Sequence, residues 1–396
     1  MNGLNHGPTK TGPTINDRVP GGRRSDREAL TESSRGSQNS GQRKQRICIR
    51  KGCQNRATYL TLLLTLLCPQ LLLADEIRVF PVENFSTAFA GDEVAFEFRV
   101  AADESADGTL LWSHSAEQRT LNRGEAAVQR QQNGAAQASF VLRLPDVRGG
   151  IIYPTTIAAE FVPQGKNSAV AMDERTLWLF PRQPLAARRA WAEKIDLELI
   201  DHEGTTDEAL ESIGLPFHAV RTVSAVRKGG ESDESNQNRI LLVGEGMSLG
   251  RGTLIDAAVE AARAGRRIVV LAPQDGAFEM PGLSDDVARG NSHIEEVRFV
   301  RHSVIREFDK RLDVTAWIGA GNHVPIRGLH AHAVRGRVLA EVIEGDGWPW
   351  LEMRYPETGG VLIVCGFRII EHWEHGPTPR YLLVRMLESL VPFKAE

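Results

Sequence analysis

The sequence predicts two domains: an immunoglobulin-like β-sandwich followed by a flavodoxin-like, doubly wound α/β domain. Three observations predict this. Residues 75–180 hold short stretches of alternating polar and apolar residues separated by turn residues, with no amphipathic helix among them. From residue 194 onward, apolar runs alternate with helical patterns, as expected of a sheet with helices on both faces. The clearest unit, ILLVGEGMSLGRGTLIDAAVEAARAGRRIVVLAPQD from Ile240 to Asp275, reads as strand, glycine-rich turn, amphipathic helix, strand.

Ahead of both domains, residues 1–56 form a basic tail expected to be disordered. It carries twelve Lys/Arg against four Asp/Glu, a net of +8, and its first 47 residues contain almost no large apolar side chains. The remaining 35 basic and 47 acidic residues give the body a net of −12. Nonspecific nucleic-acid binding rests on neutralising phosphates, so an acidic body argues against it. Residues 57–74, ATYLTLLLTLLCPQLLLA, follow a positive flank and have the length of a signal-peptide core. We read them as a secretory signal with cleavage after Ala74. The alternative is an uncleaved N-terminal anchor, a transmembrane helix that would be the chain's contact with a membrane. Of four cysteines, Cys48, Cys53 and Cys68 lie in or before this segment, which leaves Cys365 alone in an apolar strand. A lone cysteine excludes an intramolecular disulfide framework and reads as a buried structural thiol.

Candidate strands of the sandwich are Ile77–Val82, Glu93–Ala101, Thr109–His114, Ala136–Leu144, Ile152–Val162 and Arg175–Phe180. Trp112 and Trp178 are core or edge aromatics, with sugar stacking as the alternative. Residues 181–193 form a linker that opens with Pro181-Arg-Gln-Pro184 after Phe180, and a short helix is expected over Leu185–Lys194. Expected next are strand Ile195–Ile200, helix Thr206–Ile213 capped by Thr205 or Thr206, and strand Phe217–Val223. After the βαβ unit come Val297–Val300, Val314–Ile318, a hairpin of Ala333–Val342 with Leu351–Tyr355, strand Val361–Cys365, and a helix over Pro379–Leu390. Gly265 is expected to end the helix of the βαβ unit.

A doubly wound sheet presents ligand-binding groups beyond the carboxyl ends of its strands. Candidate binding residues there are Gly244, Glu245, Gly246 and Ser248 after the first strand, Asp275 after the second, and Glu371, His372, Glu374 and His375 after the last. Gly244-x-Gly246-x-x-x-Gly250 is one residue longer than the dinucleotide fingerprint, so nucleotide binding is disfavoured. A G-x-S-x-G nucleophile elbow is absent. His323, His330 and His332 lie close in sequence, and His372 and His375 are three apart. Neutral imidazoles are common transition-metal ligands, but neither H-E-x-x-H nor H-x-x-E-H occurs, so solvent-facing histidines are the plainer reading.

The phrases LLVGEG…LIDAAVEAARAGRRIVVLAP and GGVLIVCGFRIIEHWEHGPTPRYLLVRMLESL resemble the class I glutamine amidotransferase-like superfamily over residues 194–390. They are most similar to its noncatalytic trehalose-utilisation-like and β-galactosidase-trimerisation-like domains. The whole resembles secreted planctomycete-type proteins in which a sandwich precedes such a domain. The resemblance implies the fold, an association with carbohydrate processing and a tendency to self-associate. In the active amidotransferases a Cys sits at the elbow and a His-x-Glu pair follows later. Here Glu245 or Met247 occupies the elbow and Cys365 lies in another strand, which argues against glutaminase chemistry.

The expectation is therefore an exported, periplasmic, cell-surface or secreted binding or assembly protein. It is noncatalytic and without cofactor or resident metal. Its partners would be a carbohydrate or another protein, with homo-oligomers possible and nucleic acid excluded. The alternative is a metal-assisted hydrolase in which Glu245, His372, Glu374 and His375 converge on an ion.

Overall fold

A computed structural model of the chain describes residues 77–101, 107–132, 134–220, 238–249, 254–280, 296–333 and 347–392. The tail and the segment 57–74 lie outside them. The transmembrane-helix expectation is corrected for the described residues: none of their helices is long and apolar enough to cross a membrane.

The chain is mostly β, with several sheets and few helices. Its first part consists of β1 (Arg78–Pro81), β2 (Thr87–Phe89), β3 (Glu93–Ala101), β4 (Gly108–Ala116), β5 (Arg119–Ala127), β6 (Gln129–Arg130), β7 (Ala136–Arg143), β8 (Tyr153–Pro163) and β9 (Ala171–Phe180). They form a four-stranded sheet, β1-β3-β7-β6, and a five-stranded sheet, β2-β9-β8-β4-β5. Alternation sorts the side chains. On β3, Val94, Phe96, Phe98 and Val100 are buried while Glu93, Ala95 and Glu97 are exposed. They meet Leu110, Ile157, Phe161 and Leu177 of the other sheet in one core. Each such side chain stabilises by roughly 1.5–3 kcal/mol on burial. Trp112 joins this core, stacked on Phe140 at 4.4 Å. β5 has no counterpart among the expected strands because RTLNRGEAA is an edge strand with almost no buried face.

The second part contains α1 (Arg189–Ala192), β10 (Asp196–Ile200), α2 (Thr205–Ser212), β11 (His218–Ala219), β12 (Arg239–Val243), α3 (Leu254–Arg263), β13 (Arg267–Leu271), β14 (Ala277–Met280), β15 (Glu296–Val300), α4 (Val304–Phe308), β16 (His330–Ala333), β17 (Trp350–Tyr355), β18 (Gly360–Cys365) and α5 (Pro377–Leu390). Seven strands form one sheet in the order β11-β10-β12-β13-β18-β17-β15. The first five run parallel, and β17 and β15 extend the sheet antiparallel. Alternate residues of the central strands face opposite cores. Leu242, Val269 and Ile363 pack with α1, α2 and α5. Val243, Val270 and Leu362 pack with α3.

The expected βαβ unit forms as β12, α3 and β13, with β12 and β13 parallel neighbours. Gly265 ends the helix turn at φ +100°, a backbone region that disfavours side chains. Gly360 serves close approach instead, because a Cβ there would overlap the Ala262 carbonyl oxygen of α3. The described residues from Ile77 onward belong to one compact unit, and Ser86 and Thr87 of the β region bond Asp313 of the second part.

Several expected elements differ. Val314–Ile318 is an irregular turn segment rather than a strand. Its two largest apolar residues serve different cores: Trp317 enters the α/β core and Ile318 packs on the β core. Phe217–Val223 shrinks to β11, with residues 221–223 outside the described set. Helix Leu185–Lys194 reduces to α1 preceded by turns. Ala333 ends β16, which pairs with β14, while residues 334–346 lie outside the described set and β17 pairs with β15 and β18. The final helix starts at Pro377, two residues early, with proline in its first turn.

Candidate functional site

The sheet brings the expected site residues to one edge. Along the register, Ile200 pairs with Val243, Leu271 with Cys365, Cys365 with Trp350, and Trp350 with Val300. The carboxyl ends of β10, β12, β13, β18 and β15 therefore open onto the same side.

After β12, the loop is tied to its neighbours. The Gly244 N–H donates to the Ile200 carbonyl, and the Gly246 N–H to the Ala272 carbonyl. The cap of α2 is neither Thr205 nor Thr206. Gly204 precedes the helix, and the Asp201 carboxylate accepts the N–H groups of Thr206 at 2.6 Å and Asp207 at 3.3 Å. Thr206 turns its hydroxyl to the Glu245 N–H at 3.1 Å. A carboxylate thus occupies the N-terminus of α2.

Glu245 reaches across the edge to the chain after β18. Its carboxylate accepts the Ile370 N–H at 2.7 Å and the Glu371 N–H at 3.4 Å. Burial pushes its pKa up to about 7; the two N–H groups and Arg327 pull it down, and Glu371 adds to the rise. Ser248 donates to Asp275 at 2.6 Å, so two further expected residues meet each other. Gly250 lies outside the described residues.

The turn after β18 carries the rest. Arg368 donates to both carboxylate oxygens of Glu371, at 3.0 and 2.9 Å. The His372 and His375 rings lie 5.2 Å apart. His372 is held below the usual histidine pKa mainly by burial, and its Nδ1 has no hydrogen-bond partner among the described residues. Glu374 points elsewhere: its side chain is 66% exposed and pairs with Arg380 and Arg182. His372-Trp373-Glu374 does have the His-x-Glu spacing of the amidotransferases. With Glu374 committed to Arg380, however, the triplet makes no His–Glu hydrogen bond.

A cleft of about 870 Å³ opens beside this turn. Its polar lining comes from His302, Thr315, His323, Arg368, Glu371 and His372, with Val314, Val324 and Ile326 among its apolar walls. Burial, with Arg301 nearby, lowers the His302 pKa. One wall is the segment 313–328, stitched to the chain after β18 where the Arg327 N–H donates to the Gly366 carbonyl and the Arg368 N–H to the Pro325 carbonyl. Of the residues expected from sequence, Glu371 and His372 line the cleft, and Glu245 supports their backbone. Gly244, Gly246, Ser248, Asp275, Glu374 and His375 do not line it.

His302, Thr315 and Arg368 were missed. The signal for Arg368 was its place directly after an apolar strand, three residues before Glu371. His302 and Thr315 are far away in sequence and join the cleft through tertiary packing alone. His323 belongs to the cleft, apart from His330, and the side chain of His332 is not described. Among the described residues no three His, Cys, Asp or Glu side chains are grouped to hold a metal ion.

No family model matches the chain, and no curated protein matches it. Among solved structures, it is similar to a Paenibacillus cycloisomaltooligosaccharide glucanotransferase complexed with cycloisomaltoheptaose, at 9% identity and TM-score 0.23 over 50% of this chain. The matched part spans only 28% of that enzyme's length. AvmM, which catalyzes macrocyclization in alchivemycin A biosynthesis, matches at 11% identity and TM-score 0.16, over 26% of this chain and 89% of that one. A conjugative transposon lipoprotein from Bacteroides eggerthii matches at 13% identity and TM-score 0.16, over 26% of this chain and 97% of that one. Likeness at this level carries no functional argument.

Proposed function

We propose that this chain is an exported binding module that takes a neutral, polyhydroxylated ligand of the carbohydrate class in the cleft at the carboxyl edge of its α/β sheet. One observation carries the reading: the cleft gathers His302, His323, Arg368, Glu371 and His372 from three separated stretches of chain. Its volume of about 870 Å³ lies in the range of small-molecule sites.

The chemistry of the lining favours hydroxyl groups. A sugar hydroxyl both donates and accepts. The Arg368 guanidinium donates, the Glu371 carboxylate accepts, and a neutral imidazole does both. Burial favours the neutral form of His302 and His372 at neutral pH. Arg368 and Glu371 neutralise each other, so the cleft does not select strongly for ionic ligands.

The finer fold assignment belongs to the same proposal. The parallel strands, numbered along the chain, stand in the order 2-1-3-4-5, which supports a flavodoxin-like domain related to the noncatalytic amidotransferase-like modules. The two sheets ahead of it support an immunoglobulin-like sandwich. Export rests on the signal-like residues 57–74, and N-terminal sequencing of the secreted form tests it through cleavage after Ala74.

A glycan array probed with the full chain and with Arg368→Ala tests the ligand class. The expected result is a restricted set of neutral oligosaccharides bound by the native chain and weakened at least tenfold in the variant. Equal binding by both proteins would place any sugar site elsewhere.

A further inference from the structure

The segment 313–328 forms one wall of the cleft, yet its first residues are anchored in the β region. Asp313 is 3% exposed. One of its carboxylate oxygens accepts the Ser86 N–H and the Ser86 hydroxyl, each at 2.6 Å, and the other accepts the Thr87 hydroxyl at 2.5 Å. Thr378, at the start of α5, donates its hydroxyl to neither oxygen but accepts the Asp313 N–H at 3.2 Å. The anchorage continues along the wall. Asn322 accepts the Asn84 N–H at 3.0 Å, and Thr315 donates to the Asn84 carbonyl at 3.4 Å. Between these points Trp317 is buried in the α/β core, Ile318 packs on the β core, and the Trp317 indole donates to the Asp313 carbonyl at 3.2 Å.

The wall therefore has two fixed ends. One is the bridge between Ile326 and Phe367 beside β18. The other is the seam with residues 84–87. Of the cleft-lining residues, Thr315 is itself bonded to Asn84, and Val314, Gly319, Ala320, His323 and Val324 lie between the anchored positions. Among the described residues no strand of the α/β sheet pairs with 314–325, so apart from residues packed in the α/β core, Trp317 among them, its position rests on those anchors.

We infer that the β region is a structural component of the ligand cleft, and that Asp313 is a positioning residue that sets the 313–328 wall by binding Ser86 and Thr87. The inference rests on the cleft being the binding site, but not on the ligand being a sugar. A ligand that closes on His323 and His372 would draw on a wall held from outside the α/β sheet. Loosening the seam would then lower affinity without touching any ligand contact.

The test uses the full chain and two readouts that need no ligand: backbone amide hydrogen exchange, and carbethoxylation of His323 and His372 by diethyl pyrocarbonate, located by mass spectrometry. Asp313→Ala is expected to raise exchange across 314–326 at least tenfold and to change the relative labelling of the two histidines. Peptides covering β12, α3 and β13 should keep their native protection. Asp313→Asn is expected to restore protection, because its amide oxygen still accepts from Ser86 and its NH2 group donates to the Thr87 hydroxyl. A purely global loss of stability would raise exchange everywhere, and that result would overturn the inference.

Asn322→Gly gives a second reading if Asp313→Ala does not fold. Asn322 has φ +63°, which glycine adopts without strain, so the change removes the bond to Asn84 and leaves the backbone relaxed. Raised exchange confined to 314–326 supports the inference, and native protection in this variant contradicts it. A glycan array with no hits alongside a loosened wall in Asp313→Ala would remove the sugar reading and leave the positioning role standing.

Discussion

The Glu245 carboxylate accepts the Ile370 N–H at 2.7 Å, so the glycine-rich loop after β12 holds the turn after β18. Glu245 therefore supports the backbone that carries Arg368, Glu371 and His372. Glu245→Ala leaves two N–H groups without their acceptor, which costs about 1–3 kcal/mol. Urea unfolding should show that loss, with Glu245→Gln recovering most of it.

The same residue sets a pH dependence. Its folded pKa is raised from 4.5 to about 7, so its stabilising contribution is complete below pH 4.5 and is lost as pH rises through about 7. Asp313, raised from 3.8 to about 6 by burial, acts with the same sign over a lower window. Unfolding free energies measured from pH 4.5 to 8 should fall less steeply for Glu245→Gln than for the native chain, by on the order of 2 kcal/mol across the window.

His114 acts in the opposite direction. It is 1% exposed in the β core, its Nε2 has no partner among the described residues, and burial lowers its pKa. A base with a depressed folded pKa contributes stability above its unfolded value of 6.5 and loses it as pH falls. Acid unfolding monitored by circular dichroism should shift to lower pH in His114→Leu.

The α/β core was legible where residues face their own sheet. Ile240–Val243 and Ile268–Leu271 are continuous apolar runs because both faces of those strands are covered, and Gly265 marked the helix end. The edge strand β5 was illegible because an edge strand with little buried surface has no apolar alternation to display. Val314–Ile318 misled for the opposite reason: apolar residues divided between two cores mimic a strand. The site followed the same rule. Glu371 and His372 were found because they follow a recognisable strand, whereas His302 and Thr315 enter the cleft through contacts far from their sequence neighbours.

Gly360 tests the packing of α3 on β18. Gly360→Ala would drive a methyl group into the Ala262 carbonyl. Backbone rather than a flexible side chain must yield, so the loss should reach about 3 kcal/mol, the upper range of overpacking. A thermal melt close to the native one would show that helix and strand are not in that contact.

Arg368 separates binding from stability. It is partly exposed and paired with a half-exposed Glu371, an arrangement worth about 0–1 kcal/mol. Arg368→Ala should therefore melt within a few degrees of the native chain while losing ligand affinity.

The most direct test of the cleft is nuclear magnetic resonance of the full chain with 15N-labelled histidine, titrated with the oligosaccharide that binds best on the array. Binding in the cleft should shift the imidazole signals of His302, His323 and His372 along one saturation curve while His114, in the β core, stays fixed. Saturable binding that leaves those three signals unmoved would contradict it.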